Sequence, residues 1–275
     1  MYRIKIHSIF VSFSLLLVAS TLNAETVSEV VARPDWKKYF DNANVEGTIL
    51  IVDEREGKQQ ALVYNRKRSQ KRFKPASTFK IPHALFALDS MVIRDEFEVF
   101  PWDGVKRSYE AWNKNQTLRS SMRHSVVWVY EGFAESIGPK AEKAYMSKIS
   151  YGNCDPSGTA PFWIKGNLRI SAREQLDFLQ KLYRNELPFS RAHQRLVKDV
   201  MVVEAQRDWI LRAKTGWSGK IGWWIGWVEH SDGAVFFVMN IDTPKGHENL
   251  QSREGISREI LTSVKALPGS EKTKK

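Results

Sequence analysis

The chain has 275 residues, a formal net charge of +11 and a single cysteine, long enough for one compact unit or two intergrown lobes. One cysteine excludes an intrachain disulfide framework and a cysteine-cluster metal site, and scattered histidines with no His-x-x-x-His pair argue against a zinc hydrolase. The basic residues are dispersed without a nucleic-acid motif; the densest run, Arg66 to Lys74, reads as a solvated loop, while the net charge would assist an anionic small molecule.

In chain order, Arg3 and Lys5, the apolar stretch Ile9 to Ala19 and the small residue Ala24 form the pattern of a cleavable secretory leader over residues 1–24. The stretch is too short and wrongly flanked for a membrane anchor. This predicts export, to the periplasm of a Gram-negative bacterium, and leaves residues 25–275 as one domain. Gly47 to Asp53 is β-branched and apolar and reads as a buried strand; Gln60 to Tyr64 follows a polar turn and completes a hairpin. Ser77 to Leu88 reads as a helix, with Pro82 near its first turn. Residues 90–200 change to helical periods. There Ser171-Ala-Arg-Glu174 is a capping box opening a helix whose Leu176, Leu179, Leu182 and Tyr183 line the core.

Strand character returns at Asp208 to Ala213, Ile221 to Val228 and Ala234 to Ile241, with Ser231-Asp-Gly233 as a turn. Leu250 to Leu267 reads as one amphipathic helix before a polar tail. The predicted fold class is α/β of the α+β type. One central antiparallel sheet is built from both ends of the chain and flanked by N- and C-terminal helices, with an all-helical lobe inserted over residues 90–200.

Ser77-Thr-Phe-Lys80 puts a hydroxyl and an amine on one helix face a turn apart, the geometry an activated serine nucleophile requires. No histidine lies close in sequence except His83, six residues on, so the candidate base is Lys80. A lysine is a base only when burial or nearby cations hold its pKa down. Val127 and Trp163-Ile164 are apolar residues suited to that burial. A neutral buried amine also reacts with CO2, and an indole N–H such as that of Trp163 suits the resulting carbamate.

Singly, Ser125 reads as a helix cap, Lys214 as a strand-edge charge, Arg253 as a helix-face cation, Tyr151-Gly-Asn153 as a turn and Trp163 as packing. What binds them together is order: Ser77-Thr-Phe-Lys80, Ser125-Val-Val127, Tyr151-Gly-Asn153, then Lys214-Thr-Gly216.

With Trp163 past the third motif and the Gly222 to Trp227 run, this set resembles the class D, or oxacillinase, serine β-lactamases across the mature chain. The aliphatic Val127 stands where class A enzymes have asparagine. The resemblance implies a β-lactamase/transpeptidase-like fold. It implies hydrolysis of oxacillin-type penicillins and some cephalosporins, conferring resistance. Ser77 would be acylated, and Lys80, carboxylated on its amine by CO2 or bicarbonate, would be the general base. Trp163 and Val127 would stabilise that group, while Ser125 and Lys214 would pass a proton to the leaving nitrogen. The N–H groups of Ser77 and Trp217 would form an oxyanion hole. Substrate would be held by Thr215, Gly216, Trp217, Arg253, Tyr151 and Asn153.

No metal or prosthetic group is implied. The expected partner is a small-molecule β-lactam, with no nucleic acid and no membrane once the leader is gone; the family includes monomers and dimers, so a homodimer stays open. A DD-peptidase and a β-lactam sensor domain share these motifs, and the cleavable leader and Val127 weigh against them. Cys154 and the loop Asp155 to Pro161 are unusual. That loop and Trp102 to Asn113 would set the substrate range.

Overall fold

The computed structural model describes residues 30–269; the leader read over residues 1–24 lies outside them. Seven strands form one sheet: β1 Val30–Ala32, β2 Gly47–Asp53, β3 Gln60–Tyr64, β4 Val202–Ala205, β5 Ile210–Trp217, β6 Ile221–His230 and β7 Gly233–Asp242, in the order β1-β3-β2-β7-β6-β5-β4. The helices are α1 Lys37–Asn42, α2 Arg66–Ser69, α3 Lys80–Asp89, α4 Leu118–Arg123, α5 Val127–Ile137, α6 Pro139–Lys148, α7 Ala172–Arg184, α8 Arg191–Val200, α9 His247–Leu250 and α10 Ser252–Ser263. Helices α3 to α8 all fall between β3 and β4 in the chain, as the change of hydrophobic period predicts.

The two ends of the chain meet where β2 pairs with β7 antiparallel, from Gly47 opposite Ile241 to Asp53 opposite Val235. The sheet is covered on both faces, which is why its strands read as nearly unbroken apolar runs. Alternation along β6 sends Trp223, Ile225 and Trp227 into the core shared with the helical lobe. It sends Trp224 and Val228 the other way, against Trp36, Phe40 and, from α10, Ile256, Ile260 and Leu261. Each fully buried apolar side chain of this kind contributes roughly 1.5–3 kcal/mol. The capping box closes as predicted: Glu174 N–H donates to Ser171 Oγ at 3.2 Å and Ser171 N–H donates to Glu174 Oε2 at 2.9 Å.

Several elements depart from the sequence reading. The sheet is not wholly antiparallel, because β1 runs parallel to β3, with Val30 opposite Ala61. The helix at Ser77 starts later, since Ala76–Phe79 is a 3-10 turn and α3 begins at Lys80. Strand β5 runs on to Trp217, so Lys214-Thr-Gly216 lies inside it, paired with β6 as far as Trp217 opposite Gly222. The expected C-terminal helix is two, α9 and α10. The short β1, β4 and α1 carry too little pattern to be read locally.

Strands β5 and β6 approach closely at Gly226. A Cβ there would stand 2.0 Å from the carbonyl oxygen of Arg212 and 2.7 Å from Ala213 Cα, both backbone atoms that cannot swing aside. Gly226→Ala is expected to lower unfolding stability by about 3 kcal/mol, read from urea denaturation; an unchanged midpoint would contradict this account of the sheet.

Candidate active site

The turn Ala76–Phe79 enters α3 through Ala76, whose φ of 50° is left-handed and strained for a residue with a side chain. Two hydrogen bonds hold it: Ala76 N–H donates to the Trp163 carbonyl at 2.9 Å and Thr78 Oγ1 donates to the Pro75 carbonyl at 2.8 Å. The turn sets Ser77 Oγ 3.0 Å from Lys80 Nζ. The Lys80 side chain is entirely buried, with Nζ 5.0 Å from the ring centroid of Tyr130. Burial, then the nearby Lys214 cation, pushes the Lys80 amine well below the usual lysine range. A neutral amine is able to accept a hydroxyl proton, where an ammonium can only donate.

A second serine–lysine pair faces the first. Ser125 links α4 to α5 with a left-handed φ of 56°. It is braced from behind, as Trp112 Nε1 donates to the His124 carbonyl at 2.9 Å and Trp128 Nε1 to the Trp112 carbonyl at 3.1 Å. Lys214 Nζ donates to Ser125 Oγ and to the Thr215 carbonyl, each at 3.0 Å. Burial, then the positive charge of Arg253, lowers Lys214 to about 7.

Strand β5 reaches the nucleophile turn because Gly216 has no side chain, a Cβ there falling 2.8 Å from the Pro75 carbonyl oxygen. Its outer edge is open. β4 pairs only as far as Val202 opposite Arg212, and the Ala213 N–H donates to Met201 on that side. By strand alternation the N–H groups of Thr215 and Trp217 point to the same edge, where β4 no longer runs. A cavity of about 250 Å³ lies beside Lys214 and Thr215, bounded also by Met122, Arg123 and Glu254. Larger hollows near Trp209 and Leu267, of about 760 and 650 Å³, contain none of the predicted site residues. Size does not mark the site here.

Arg253, on α10, is only 9% exposed; Nη1 donates to the Gly216 carbonyl at 3.3 Å and Nη2 lies 3.7 Å from Glu254 Oε1. Its Nε has no partner, and burial depresses its pKa. A buried cation with spare donors beside Thr215 suits a planar carboxylate. Trp163 is fully buried, stacked on Phe79 at 5.7 Å, and its Nε1 has no acceptor. An orphaned buried N–H costs about 1–3 kcal/mol, and the residues around Lys80 therefore fit an added anionic acceptor.

Tyr151, Asn153 and Val127 complete the predicted set. Tyr151, expected at substrate, is 1% exposed and donates from its hydroxyl to Gln175 Oε1 at 3.2 Å, while Gln175 Nε2 donates to Thr78 Oγ1 at 2.7 Å. Asn153 clamps a loop, donating to the Asn167 carbonyl at 2.9 Å and accepting from Arg169 N–H at 2.8 Å. Both hold the frame around the nucleophile turn and the Trp163 loop. Val127 is half-buried at the start of α5, and about one turn further on Tyr130 sets its ring centroid 5.0 Å from Lys80 Nζ.

Sequence reasoning missed Tyr130, Thr78, Gln175 and the buried pair His83 and Glu142. Gln175 had a signal, as a polar residue within the apolar stripe of α7. Cys154 is a half-buried free thiol 3.5 Å from the Tyr151 carbonyl oxygen. Among the described residues no group of three His, Cys, Asp or Glu side chains is arranged to hold a metal ion.

Residues 47–262 match the model of the penicillin binding protein transpeptidase domain. The chain is 60% identical over 235 residues to beta-lactamase OXA-20 of Pseudomonas aeruginosa, covering 85% of this chain and 88% of that one. It is 54% identical over 257 residues to beta-lactamase OXA-2 of Salmonella typhimurium, covering 93% of each. Among solved structures it is similar to the class D beta-lactamase YbXI from Nostoc, at 34% identity and a TM-score of 0.79, over 83% of this chain and 98% of that one.

Because a buried amine without an anionic partner opposes folding, Lys80→Met is expected to raise stability by about 1 kcal/mol, or roughly 2–4 °C in Tm, while abolishing turnover. A lower Tm in calorimetry would show that Lys80 is held by favourable contacts instead.

Proposed function

The chain belongs to the class D β-lactamases, and on that premise we propose that it opens the β-lactam ring through an acyl-enzyme on Ser77. Hydrolysis of β-lactams is the activity of this family, and the chain is a hydrolase of that kind. The observation that carries the finer reading is the pair of serine–lysine contacts, Ser77 with Lys80 and Ser125 with Lys214, each at 3.0 Å.

Ser77 Oγ attacks the lactam carbonyl carbon as its proton passes to the base at Lys80. The charge gathering on the carbonyl oxygen is met by the N–H groups of Ser77 and Trp217, the latter on the open edge of β5. The carbon–nitrogen bond then breaks, and the nitrogen takes a proton from Ser125, which Lys214 replenishes. Thr215 and Arg253 orient the substrate carboxylate. Carboxylation of the Lys80 amine would supply an anionic general base, able also to activate the deacylating water. The unpartnered N–H of Trp163 is the donor available to such a group.

The open outer edge of β5 and the positive charge of Arg253 and Lys214 support an anionic β-lactam as substrate. Export to the periplasm rests on the leader; among the described residues no helix is long and apolar enough to cross a membrane.

Hydrolysis of a chromogenic penicillin, with and without added bicarbonate, tests the reading together with intact mass. The expected result is sustained turnover that rises with bicarbonate, and a Trp163→Phe variant that needs about tenfold more of it. A single stoichiometric mass gain without turnover would make the chain a sensor or a transpeptidase-type protein.

The pH profile supplies an independent check. Lys214, lowered to about 7, loses its proton as pH rises through that value, so the cation that resupplies Ser125 is present below it and lost above. kcat/KM, which reports the free enzyme, is expected to fall above about pH 7. In Lys214→Arg, whose guanidinium stays charged and gives up no proton in this range, the rate should fall and this alkaline limb should vanish. A limb that survives the substitution would assign it to another group.

A further inference from the structure

Beneath the reacting groups lies a buried histidine–carboxyl pair that the proposed reaction does not use. His83, one turn beyond Lys80 on α3, places Nε2 2.6 Å from Oε1 of Glu142 on α6, with the side chains 0% and 1% exposed. The contact is off the line of a hydrogen bond, and neither ring nitrogen nor either carboxylate oxygen has another polar partner. The surroundings are aromatic. The His83 ring stands 5.2 Å from Trp163, 5.8 Å from Tyr130 and 5.1 Å from Phe79, centroid to centroid. One of these rings, that of Tyr130, lies against Lys80 Nζ, and Trp163, stacked on Phe79 next to Lys80 in the chain, carries the unpartnered N–H.

Stability does not explain such a pair. Taking two ionisable groups out of water is costly, and apolar side chains of similar size commonly fold as well or better. What the pair does is join α6 to α3 at the level of the site. The other polar tie between these helices, from the Tyr145 hydroxyl to Asp89 Oδ2 at 3.1 Å, lies at the far end of α3.

We propose that His83 and Glu142 are positioning residues for the Lys80 pocket. The pair fixes the His83 ring, and the ring fixes Trp163 and Tyr130, so that the indole N–H stays available to an acceptor on Lys80. This rests on the reading of Lys80 as carboxylated.

The test is the full-length double variant His83→Phe/Glu142→Leu, which removes the pair without stranding a buried charge. Three quantities are read: Tm, the bicarbonate concentration giving half-maximal kcat, and the carbamate resonance formed with 13C-labelled bicarbonate. The expected result is an equal or higher Tm, with a bicarbonate requirement raised about tenfold and a weaker resonance, the size of coupling expected between packed neighbours. A requirement within about twofold of the unaltered protein, whatever the Tm, overturns the proposal.

If the double variant does not fold, Glu142→Gln replaces it, keeping size and polarity while removing the charge. A bicarbonate requirement raised about threefold or more then supports the positioning role, and an unchanged one overturns it. An unaltered protein with neither carbamate resonance nor bicarbonate dependence sinks the reading of Lys80 itself, and this proposal with it. An unaltered protein showing both, matched by its variant, removes only the role of the pair.

Discussion

Two lysine amines and a guanidinium are held out of water within one site, and among the described residues no carboxylate forms a salt bridge with either lysine. Lys80 is walled by aromatic rings, Lys214 is wedged between Ser125 and the Thr215 carbonyl, and Arg253 stands behind Gly216. Burial disfavours each charge, and their mutual repulsion disfavours it further. The lysines consequently sit at depressed pKa values, and each is bonded to a serine hydroxyl. In ordinary proteins that arrangement is a defect. Here it lowers both amines, Lys80 well below the usual lysine range and Lys214 to about 7.

The remainder of the fold serves to enforce that burial. A sheet covered on both faces gives β5 a rigid seat, and Gly216 lets the strand touch the turn that carries Ser77. The helical lobe delivers Ser125 on a strained left-handed residue, and the tryptophans Trp112 and Trp128 oppose its relaxation. Strain of this kind costs of order 1–3 kcal/mol and persists only where the surroundings overdetermine it. The Tyr151–Gln175–Thr78 chain performs the same service for the nucleophile turn. Tyr151 thus bears on the turn that carries Ser77 through Gln175 and Thr78.

Legibility followed the range of the interactions. Strands β2, β3, β6 and β7 and the capped helix α7 were readable because their signals are local: apolar runs, turn residues and a capping box. The parallel strand β1 was not, because three residues acquire strand identity only from the edge they join. The end of β5 was missed because Lys-Thr-Gly has no strand pattern of its own, its conformation being set by the β6 ladder. At the site, Ser77 and Lys80 were legible from their spacing on one turn of backbone. Ser125 and Lys214 were legible only through the order of motifs, since nothing local makes either reactive.

The sequence by itself determined the chemistry available: which hydroxyls and amines exist, how they are spaced, and which segments must be buried. Tertiary structure decided which of those groups meet. It put Tyr130 against Lys80, bonded Tyr151 to Gln175 and Asn153 to the Asn167 carbonyl, and closed His83 onto Glu142. The physical reason is that burial and orientation are properties of contacts between distant segments. A side chain carries its functional group with it, but its pKa and its partner belong to the place where the fold sets it down.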